Sequence, residues 1–489
     1  MKPEHIQLPS HSRTHAEVLA ELKKFKELDP DWKSGRTWGL VYHHSEAHSQ
    51  FLKDAYSLFM SENGLNPMAF KSLKKMESEV IRMTVDLFHG DNAAVGTMTS
   101  GGTESIMLAI KTYRDRARKL KPWVRRPEVI VPESVHVAFD KAGKYFDVKI
   151  VHAPLDKDYR VSVKAVKKLI NRNTILLVGS APQYPQGVID PIEELSALAL
   201  KKNLPLHVDA CVGGFILPFI EKNGHSLPGW DYRVPGVTSI SADLHKYGYA
   251  AKGASTITYR SMDYLKHQFF VFENWPGGIF ASPSLPGTRP GGAIAAAWAT
   301  LMTHGVEGYQ KLAAEAFDNV QRMMKGINQI PGLRVCGEPH ATIFAYESTD
   351  PAINIYAVAD QMDAKGWFIN RQQRPESLHA MVTVAHTQAV EKYLSDLKEA
   401  VAFVKANPST NHEGNAAMYG MMAKIPFRSI IKKTVHTMMQ QMYSAEGVMP
   451  ETKSGEPKNY MELAEKLGHS VLKLKNDFDV MLDKIKKRQ

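Results

Sequence analysis

The chain is poor in cysteine and contains no long apolar segment. Only two of its 489 residues are cysteines, Cys211 and Cys336, which excludes a disulfide framework and favours a reducing compartment. No stretch approaches the roughly 20 apolar residues that a membrane-spanning helix requires. Residues 1–18 are polar and have no apolar core, so no secretory signal is expected. These absences predict a cytoplasmic protein without a membrane span.

Motifs for nucleic-acid or metal binding are also absent. The net charge is +10, from 61 lysines and arginines against 51 acidic residues. Zinc-finger spacing, RNA-binding aromatic motifs and basic-zipper heptads are nevertheless lacking. We therefore predict no nucleic-acid partner and no metal site. The basic surface is expected to attract anionic substrates and to make peripheral contact with anionic membranes.

The composition is that of an ordinary folded protein: 44% of the residues are hydrophobic and 23% are charged. Residues 1–55 are predicted to form a polar helical arm, residues 56–307 a large α/β domain, and residues 308–489 a smaller α+β domain. The polar segments 406–415 and 446–457 are predicted to be loops.

Short β-branched runs alternate with helical patterns through the large domain. The runs are residues 128–131, 149–152, 174–180, 205–208, 239–242 and 255–258. Segments such as 163–170 and 192–199 have helical apolar spacing. This alternation predicts an α/β fold with a mainly parallel central sheet flanked by helices. In such folds the functional sites collect at the carboxyl ends of the strands.

Two glycine-containing segments, the second of them at the end of a predicted strand, carry groups suited to a cofactor. In Thr99-Ser-Gly-Gly-Thr-Glu-Ser105 the glycines allow close backbone approach, and the amides of the following helix could bind a phosphate; an ordinary helix cap has the same pattern. In His207-Val-Asp-Ala-Cys-Val-Gly-Gly214, Asp209 could hold a protonated pyridine nitrogen or cap the next turn. Cys211 is expected to be a buried packing residue.

The third segment is Ser239-Ile-Ser-Ala-Asp-Leu-His-Lys-Tyr-Gly-Tyr-Ala-Ala-Lys-Gly253, in which Lys246 follows His245. A lysine binds a carbonyl cofactor covalently once its amine is neutral. A single lysine is weak evidence, because most lysines are solvated. The succession of a glycine-rich loop, a strand-end aspartate and a His-Lys pair is far more specific. It predicts an enzyme that carries pyridoxal 5'-phosphate (PLP) as a Schiff base on Lys246.

The chain resembles the fold-type I PLP enzymes of the group II decarboxylase superfamily, and among them the sphingosine-1-phosphate lyases over nearly its whole length. The segments that carry the resemblance are Gly39-Leu-Val-Tyr-His-His, the three segments above, Ala181-Pro-Gln-Tyr-Pro-Gln-Gly, Gly277-Gly-Ile-Phe-Ala-Ser-Pro and Arg289-Pro-Gly-Gly. The Lys-Tyr-Gly-Tyr-Ala-x-Lys-Gly and Phe-Ala-Ser-Pro elements are closer to the lyases than to the rest of the superfamily.

The resemblance implies a role for each of a set of cofactor-binding residues. Lys246 would form the Schiff base, Asp209 would pair with the pyridine nitrogen, and His136 would stack on the ring. The cofactor phosphate would be held by Gly102, Thr103 and His245, and by Ser282 from the neighbouring subunit of a homodimer.

The resemblance also implies a substrate side. Lys252 would bind the substrate phosphate, with Tyr42 reaching over from the partner subunit. Tyr184 and Tyr419 are similar to active-site tyrosines that orient the substrate or transfer protons; aromatic packing is the other interpretation. Asn66 stands where these lyases often have a second phosphate-binding histidine, so the phosphate contacts are expected to be weaker or differently arranged.

The implied reaction is retro-aldol cleavage of the C2–C3 bond of a phosphorylated sphingoid long-chain base, giving phosphoethanolamine and a long-chain aldehyde. The base that takes the C3 hydroxyl proton is either Tyr184 or a cofactor phosphate oxygen. The alternative enzyme is a group II amino-acid decarboxylase, which would use the same Lys246, Asp209 and His136. The non-enzyme alternative is a basic protein that binds nucleic acid or a membrane surface. The preferred tail length and the biological role are left open by the sequence.

Overall fold

A computed structural model describes residues 8–412, 416, 419–420 and 428–444. None of the helices in these ranges is long and apolar enough to cross a bilayer. The predicted loop at 446–457, residues 413–415 of the other predicted loop, and the end of the predicted C-terminal domain lie outside the described residues.

The main sheet contains seven strands in the described part of the chain. They are β1 Val95–Thr99, β2 Glu128–Pro132, β3 Lys149–Ala153, β4 Thr174–Ser180, β5 Leu206–Asp209, β6 Val237–Ala242 and β7 Ser255–Tyr259. Their spatial order is β1-β7-β6-β5-β4-β2-β3. The pairings from β6 to β3 are all parallel, and β7 is antiparallel to both of its neighbours. The predicted α/β fold with a mainly parallel sheet is confirmed.

Helices pack on both faces of this sheet. The α-helices of the described residues are α1 His15–Lys26, α2 Glu46–Leu58, α3 Lys71–Leu87, α4 Gly102–Leu120, α5 Ala138–Phe146, α6 Val163–Leu169, α7 Ile192–Lys201, α8 Leu217–Lys222, α9 Met262–Leu265, α10 Gly291–Asn328, α11 Ile355–Ala364, α12 Val390–Ala406 and α13 Arg428–Met442. Of these, α11 and α12 pack in the core of a second, smaller sheet, and α1 buries no residue. Strand β2 shows how the faces separate. Ile130 belongs to one core cluster, with residues of α3, α7 and α8, whereas Val129 and Val131 belong to another, with residues of α4 and α5. The sequence of a strand that is buried on both faces is a continuous apolar run. These strands could be predicted for that reason.

A smaller antiparallel sheet follows α10. Its strands are β10 Leu333–Val335, β11 Ile343–Ser348, β12 Asn370–Gln373 and β13 Glu376–Met381, in the order β10-β11-β13-β12. Helix α10 runs through the predicted domain boundary at residue 307 and bends at Gly305, whose φ is 55°. Ala313 packs in the core of the main sheet and Met323 in the core of the small one. The boundary therefore falls inside a helix that both cores share.

The predicted N-terminal arm packs against both parts of the chain. Trp38 is buried in the core of the small sheet, and Thr37 pairs with Phe368. Helix α2 continues past residue 55 and packs against α10. The hairpin of Phe270–Trp275 (β8) and Gly278–Ser282 (β9) was not predicted, and most of it is exposed.

Candidate active site

The segments singled out in the sequence meet at one edge of the main sheet. Strands β1, β2, β4, β5 and β6 point in the same direction, so the residues that follow them share this edge. These residues include Gly101 and Gly102 after β1, Tyr184 after β4, and Asp209 at the end of β5. The loop after β6 carries Lys246. The arrangement is the crevice in which open α/β sheets bind ligands.

Lys246 forms an ion pair with Asp243, which lies three residues earlier in the same loop. The Lys246 Nζ is 2.9 Å from Asp243 Oδ2, and the Asp243 side chain is almost completely buried. Burial lowers the pKa of Lys246, but the negative charge of Asp243, with smaller contributions from Cys211 and Asp209, outweighs it and leaves the pKa raised. The free amine is therefore held as an ammonium ion at neutral pH.

His245 and the glycines before α4 lie on the other side of Asp243. His245 Nε2 is 3.6 Å from Asp243 Oδ2, and its Nδ1 accepts a hydrogen bond from the Ala254 amide at 3.3 Å. Burial lowers the pKa of His245. A Cβ on Gly101 would lie 3.4 Å from the His245 ring, and one on Gly102 would collide with the Asp243 carboxylate at 2.7 Å. The loop at the start of α4 thus needs glycine to lie this close to the Lys246 loop.

Asp209 offers one uncommitted carboxylate oxygen to the crevice. Its Oδ1 accepts hydrogen bonds from the Cys211 amide at 3.1 Å and from the Ser241 hydroxyl at 3.2 Å. Among the described residues, Oδ2 has no hydrogen-bond donor. The turn-capping role and the ligand-facing role considered for Asp209 are therefore compatible, since each uses a different oxygen. Cys211 is buried with a raised pKa, as expected of a packing residue.

Lys252 places a second cation in the same site. Its Nζ lies 5.2 Å from the centre of the Tyr42 ring and 3.4 Å from the His245 carbonyl oxygen. Partial burial and the neighbouring charge of Lys246 lower the pKa of Lys252 to about 8, although Asp243 opposes the shift. An anion bound here would therefore interact with the Lys252 ammonium, which has no carboxylate partner among the described residues.

Tyr184 lies close enough to Lys246 for the lysine to lower its pKa, but burial is stronger and the net pKa is raised. Its ring stacks on His379, with centroids 4.3 Å apart, and His379 Nε2 lies 3.0 Å from the Tyr184 carbonyl oxygen. Burial lowers the pKa of His379 to about 4, so this imidazole is neutral and donates the hydrogen bond. Tyr184 therefore faces the site with its hydroxyl protonated.

Comparisons with known proteins identify the family of the chain. Residues 42–348 match the family model described as the pyridoxal-dependent decarboxylase conserved domain. The chain is 45% identical to the sphingosine-1-phosphate lyase of Arabidopsis thaliana, over 87% of this chain and 79% of that protein. The solved sphingosine-1-phosphate lyase of Burkholderia pseudomallei superposes with a TM-score of 0.79 at 41% identity, covering 83% of this chain and 94% of that one. The chain belongs to the sphingosine-1-phosphate lyase family.

A more distant solved structure shares the fold. The glutamate decarboxylase of Lactobacillus brevis superposes with a TM-score of 0.72 at 22% identity, covering 82% of this chain and 95% of that one. At that identity the likeness shows a common architecture and leaves the chemistry open. The substrate must therefore be argued from the lyase relatives and from the site.

The cofactor of this lyase family is pyridoxal phosphate, and the residues at the crevice fit it. Binding of this cofactor requires an amine for its aldehyde, an acid for its ring nitrogen and backbone amides for its phosphate. Lys246 supplies the amine, Asp209 the acid, and the Gly101–Gly102 turn the phosphate-binding backbone. Two carboxylate oxygens without hydrogen-bond donors support this fit. Asp209 Oδ2 lacks a donor, and Asp243 Oδ1 is buried without a hydrogen-bond partner in the described part of the chain.

Tyr42 departs from expectation, because it lies in the site of its own chain. Its ring packs edge-on against Tyr247 at 5.1 Å, its hydroxyl contacts the Met381 sulfur, and Lys252 lies over its face. In the single chain, Tyr42 thus lies beside its own Lys252, whereas the resemblance implied that it reaches over from a partner subunit. Trp38, four residues before Tyr42, is buried in the core of the chain's own small sheet and holds this segment in place.

Four further predicted site residues are not brought into contact with Lys246 within the described chain. His136 is exposed after β2 and accepts a hydrogen bond from the Ala138 amide at 3.2 Å. Asn66 is exposed, and its side-chain oxygen accepts bonds from two amides of its own turn. Ser282 lies in the β8–β9 hairpin, where its hydroxyl bonds to the Ser284 carbonyl oxygen at 3.1 Å. Tyr419 packs 5.6 Å from the Tyr356 ring, beside the small sheet.

Two functional candidates were missed by sequence reasoning. Asp243 lies in the same segment as Lys246, directly after an apolar strand and three residues before the lysine. That spacing could have identified it as the partner of the lysine. His379 lies in β13 of the small sheet, nearly 200 residues along the chain from Tyr184. No local pattern connects them, since only the tertiary fold stacks the two rings.

Proposed function

We propose that the chain cleaves the C2–C3 bond of phosphorylated sphingoid long-chain bases, releasing phosphoethanolamine and a long-chain aldehyde. The observation that carries this proposal is the pair of cations, Lys246 and Lys252, at one strand edge beside Asp209. One amine suits the cofactor and the other suits a phosphate. The lyases of Arabidopsis thaliana and Burkholderia pseudomallei, to which the chain is similar, are named for such a substrate.

The cofactor, when bound, supplies an electron sink for the charge that develops at C2. Lys246 would hold it covalently, and Asp209 Oδ2 would keep the ring nitrogen protonated. Gly102 and Thr103, at the start of α4, would donate backbone amides to its phosphate, because the first amides of a helix lack internal partners. His245 would lie beside the same phosphate, and His136 would cover the ring.

Lys252 is the proposed reader of the substrate phosphate. Its ammonium lies over the Tyr42 ring, which fixes the position of the cation without neutralising it, because a ring face attracts a cation but carries no net charge. A dianionic phosphate would therefore meet a charge-assisted donor at this point. Asn66, with its oxygen held by its own turn, could offer only its amide hydrogens to the phosphate.

Tyr184 is proposed to donate or hold a proton rather than to remove one. A base must be unprotonated, and the raised pKa of Tyr184 keeps its proton in place at neutral pH. Stacking on His379 fixes the ring. Tyr184 would therefore orient the C3 hydroxyl of the substrate or return a proton to the product. Tyr419, beside Tyr356, is left with a packing role in this arrangement.

A product assay separates this function from decarboxylation. The purified holoenzyme is incubated with sphinganine 1-phosphate and, separately, with amino acids such as glutamate, and both long-chain aldehyde and carbon dioxide are measured. The proposal expects aldehyde from the phosphorylated base and no carbon dioxide from the amino acids. Carbon dioxide without aldehyde would establish a decarboxylase. The absence of a borohydride-sensitive yellow band in the protein would support the non-enzyme alternative.

We further propose a homodimer. The β8–β9 hairpin exposes Phe270, Val271, Phe272, Trp275 and Ile279, and a patch of this kind marks an interaction surface. Ser282 at the end of the hairpin would then face the partner's cofactor phosphate. Sedimentation analysis should give twice the chain mass, and replacing Phe270 and Phe272 by Ser should shift the protein towards monomer.

Peripheral contact with anionic membranes is proposed on separate grounds. The net charge is +10, and α1 exposes Leu19, Leu22 and Phe25 together with Lys23 and Lys24. A basic amphipathic helix binds anionic lipid through both features. Co-sedimentation with phosphatidylserine vesicles should decrease as salt is raised, and binding that is absent at low salt would remove the proposal.

A further inference from the structure

Three histidines from separated parts of the chain meet behind the Lys246 loop. His44 precedes α2, His48 lies in the first turn of α2, and His304 lies next to the bend of α10. The ring centroids are 4.5 Å apart for His44 and His48, 4.6 Å for His48 and His304, and 5.0 Å for His44 and His304. One nitrogen of each lies within 4.8 Å of the others, and these three residues are called the histidine cluster below.

All three imidazoles are held in their neutral form. Burial, with a smaller contribution from the neighbouring histidines, lowers the pKa of His44 to about 4. The pKa of His304 is lowered to about 4 for the same two reasons, and burial also lowers that of His48. A neutral imidazole carries a lone pair on one nitrogen, which is the form that binds metal ions.

The hydrogen bonding of the cluster leaves nitrogens unused. His48 Nε2 lies 2.9 Å from the Tyr249 carbonyl oxygen, to which it donates, so its Nδ1 keeps the lone pair. His44 Nε2 and His304 Nε2 are buried and have no hydrogen-bond partner among the described residues. A backbone carbonyl that accepts the far N–H of an imidazole is the usual support of a metal-binding histidine.

We propose that the histidine cluster binds one divalent transition-metal ion, with Zn²⁺ as the ion that best fits it. The cluster consists of imidazoles alone, which favours Zn²⁺, Ni²⁺, Cu²⁺ or Co²⁺ over the oxygen-seeking Mg²⁺ and Ca²⁺. Zinc–nitrogen bonds of about 2.0–2.1 Å in a tetrahedral site hold the nitrogens about 3.3 Å apart. Small side-chain rotations would close the present spacing, and water would take the fourth position. The absence of metal-ligand spacing in the sequence does not argue against this, because His304 joins the others only through the fold.

The position of the cluster gives the metal a structural role. His44 is two residues after Tyr42, His48 is bonded to the Tyr249 carbonyl three residues after Lys246, and His304 borders Gly305. A bound ion would therefore tie the segment that carries Tyr42 to the Lys246 loop and to α10. This inference does not depend on the proposed reaction.

The test is a titration of the untagged holoenzyme with Zn²⁺ alone, after chelator treatment and dialysis. Calorimetry should show one Zn²⁺ per chain, and Co²⁺ should give the visible absorption of a tetrahedral site. His44→Ala and His304→Ala should each weaken binding by about a hundredfold or more, since each removes a ligand. The matched control is His43→Ala, because His43 adjoins the cluster in sequence but packs on Trp32 and bonds to Ser49.

Thermal unfolding distinguishes the loss of a metal ligand from misfolding of the variant. Zn²⁺ should raise the melting temperature of the wild type and of His43→Ala, but not that of the two cluster variants, whose circular dichroism must match the wild type. If an alanine variant does not fold, His304→Gln replaces it. Binding that is absent in the wild type, or is equal in the wild type and the cluster variants, would show an adventitious ion only and would overturn the proposal.

Discussion

The carboxylate of Asp243 lies between Lys246 and His245, with one oxygen 2.9 Å from the Lys246 amine and 3.6 Å from the His245 ring nitrogen. The ion pair fixes the amine at the same strand edge as Asp209. It also favours the charged amine, whereas covalent attachment of a carbonyl cofactor needs the neutral one. We therefore expect Asp243 to position Lys246 and to set the pH at which its amine reacts.

Replacing Asp243 by Asn should make the amine easier to deprotonate. The side chain keeps its shape, but the negative charge that raises the pKa of Lys246 is gone. When pyridoxal phosphate is added back to the apoenzyme, the visible imine band should form at a lower pH than in the wild type. Asp140→Asn, which alters an exposed carboxylate paired with His152, serves as the control. An unchanged pH dependence in Asp243→Asn would show that Asp243 does not control the protonation of Lys246.

Asp209→Asn should leave the cofactor bound and lower turnover by orders of magnitude. An amide in place of the carboxylate no longer stabilises a proton on the ring nitrogen, so the ring accepts less charge. The hydrogen bonds from Cys211 and Ser241 need only an oxygen, which Asn retains, so the fold should be unaffected. The measurements are cofactor absorbance and the rate of aldehyde release. Near-normal turnover with full occupancy would contradict the assigned role.

Lys252→Ala should raise the KM for phosphorylated substrate. Losing one charge-assisted contact costs about 1.5–3 kcal/mol, or about 10- to 150-fold in affinity. Unphosphorylated analogues should be affected much less. Equal losses for both substrates would show that Lys252 does not read the phosphate.

The lowered pKa of Lys252 also predicts how binding of the substrate phosphate depends on pH. The lysine is protonated below about pH 8 and neutral above it. The substrate phosphate is already a dianion above about pH 6. In the wild type kcat/KM should therefore fall as the pH rises through about 8, because the free enzyme loses its cation. Lys252→Arg should abolish this decrease, since arginine stays charged; a decrease that persists unchanged would assign it to another group.

Mixed dimers distinguish residues that serve their own site from residues that serve the partner's. Tyr42 lies against its own chain's Lys252, so co-expression of Lys246→Ala with Tyr42→Phe should restore no activity, because each site keeps one lesion. Ser282 is proposed to act on the partner's site. Lys246→Ala with Ser282→Ala should therefore leave one intact site and recover up to half of the wild-type activity per dimer. Each single variant must first be shown to be impaired, and the reverse pattern of recovery would contradict both assignments.

The sequence was sufficient for the main sheet, because strands buried on both faces are continuous apolar runs. The run at 174–180 matches β4 residue for residue. Strand β1 was not predicted, since Val-Gly-Thr-Met-Thr contains glycine and two threonines and has no such run. The β8–β9 hairpin was missed for a related reason. Its apolar residues are exposed on both faces in the single chain, and neither alternation nor burial marks it as a strand pair.

The site was predictable where its residues lie in short motifs and not where the fold alone assembles them. Asp209, His245 and Lys246 follow adjacent strands, so a parallel sheet brings them together once its strands are known. The stacking of Tyr184 on His379 and the contact of Lys252 with Tyr42 join different layers of the molecule. Whether Tyr42 belongs to its own site or the partner's depends on where Trp38 is buried, which no spacing in the sequence reveals.

The most direct test of the account is to locate the cofactor on the chain. The holoenzyme is reduced with borohydride, digested, and searched by mass spectrometry for a phosphopyridoxyl-lysine. The account predicts modification of Lys246 alone at close to one per chain, with loss of the label and of aldehyde release in Lys246→Ala. Modification of Lys252 or another lysine in its place, or a fully active Lys246→Ala variant, would contradict it.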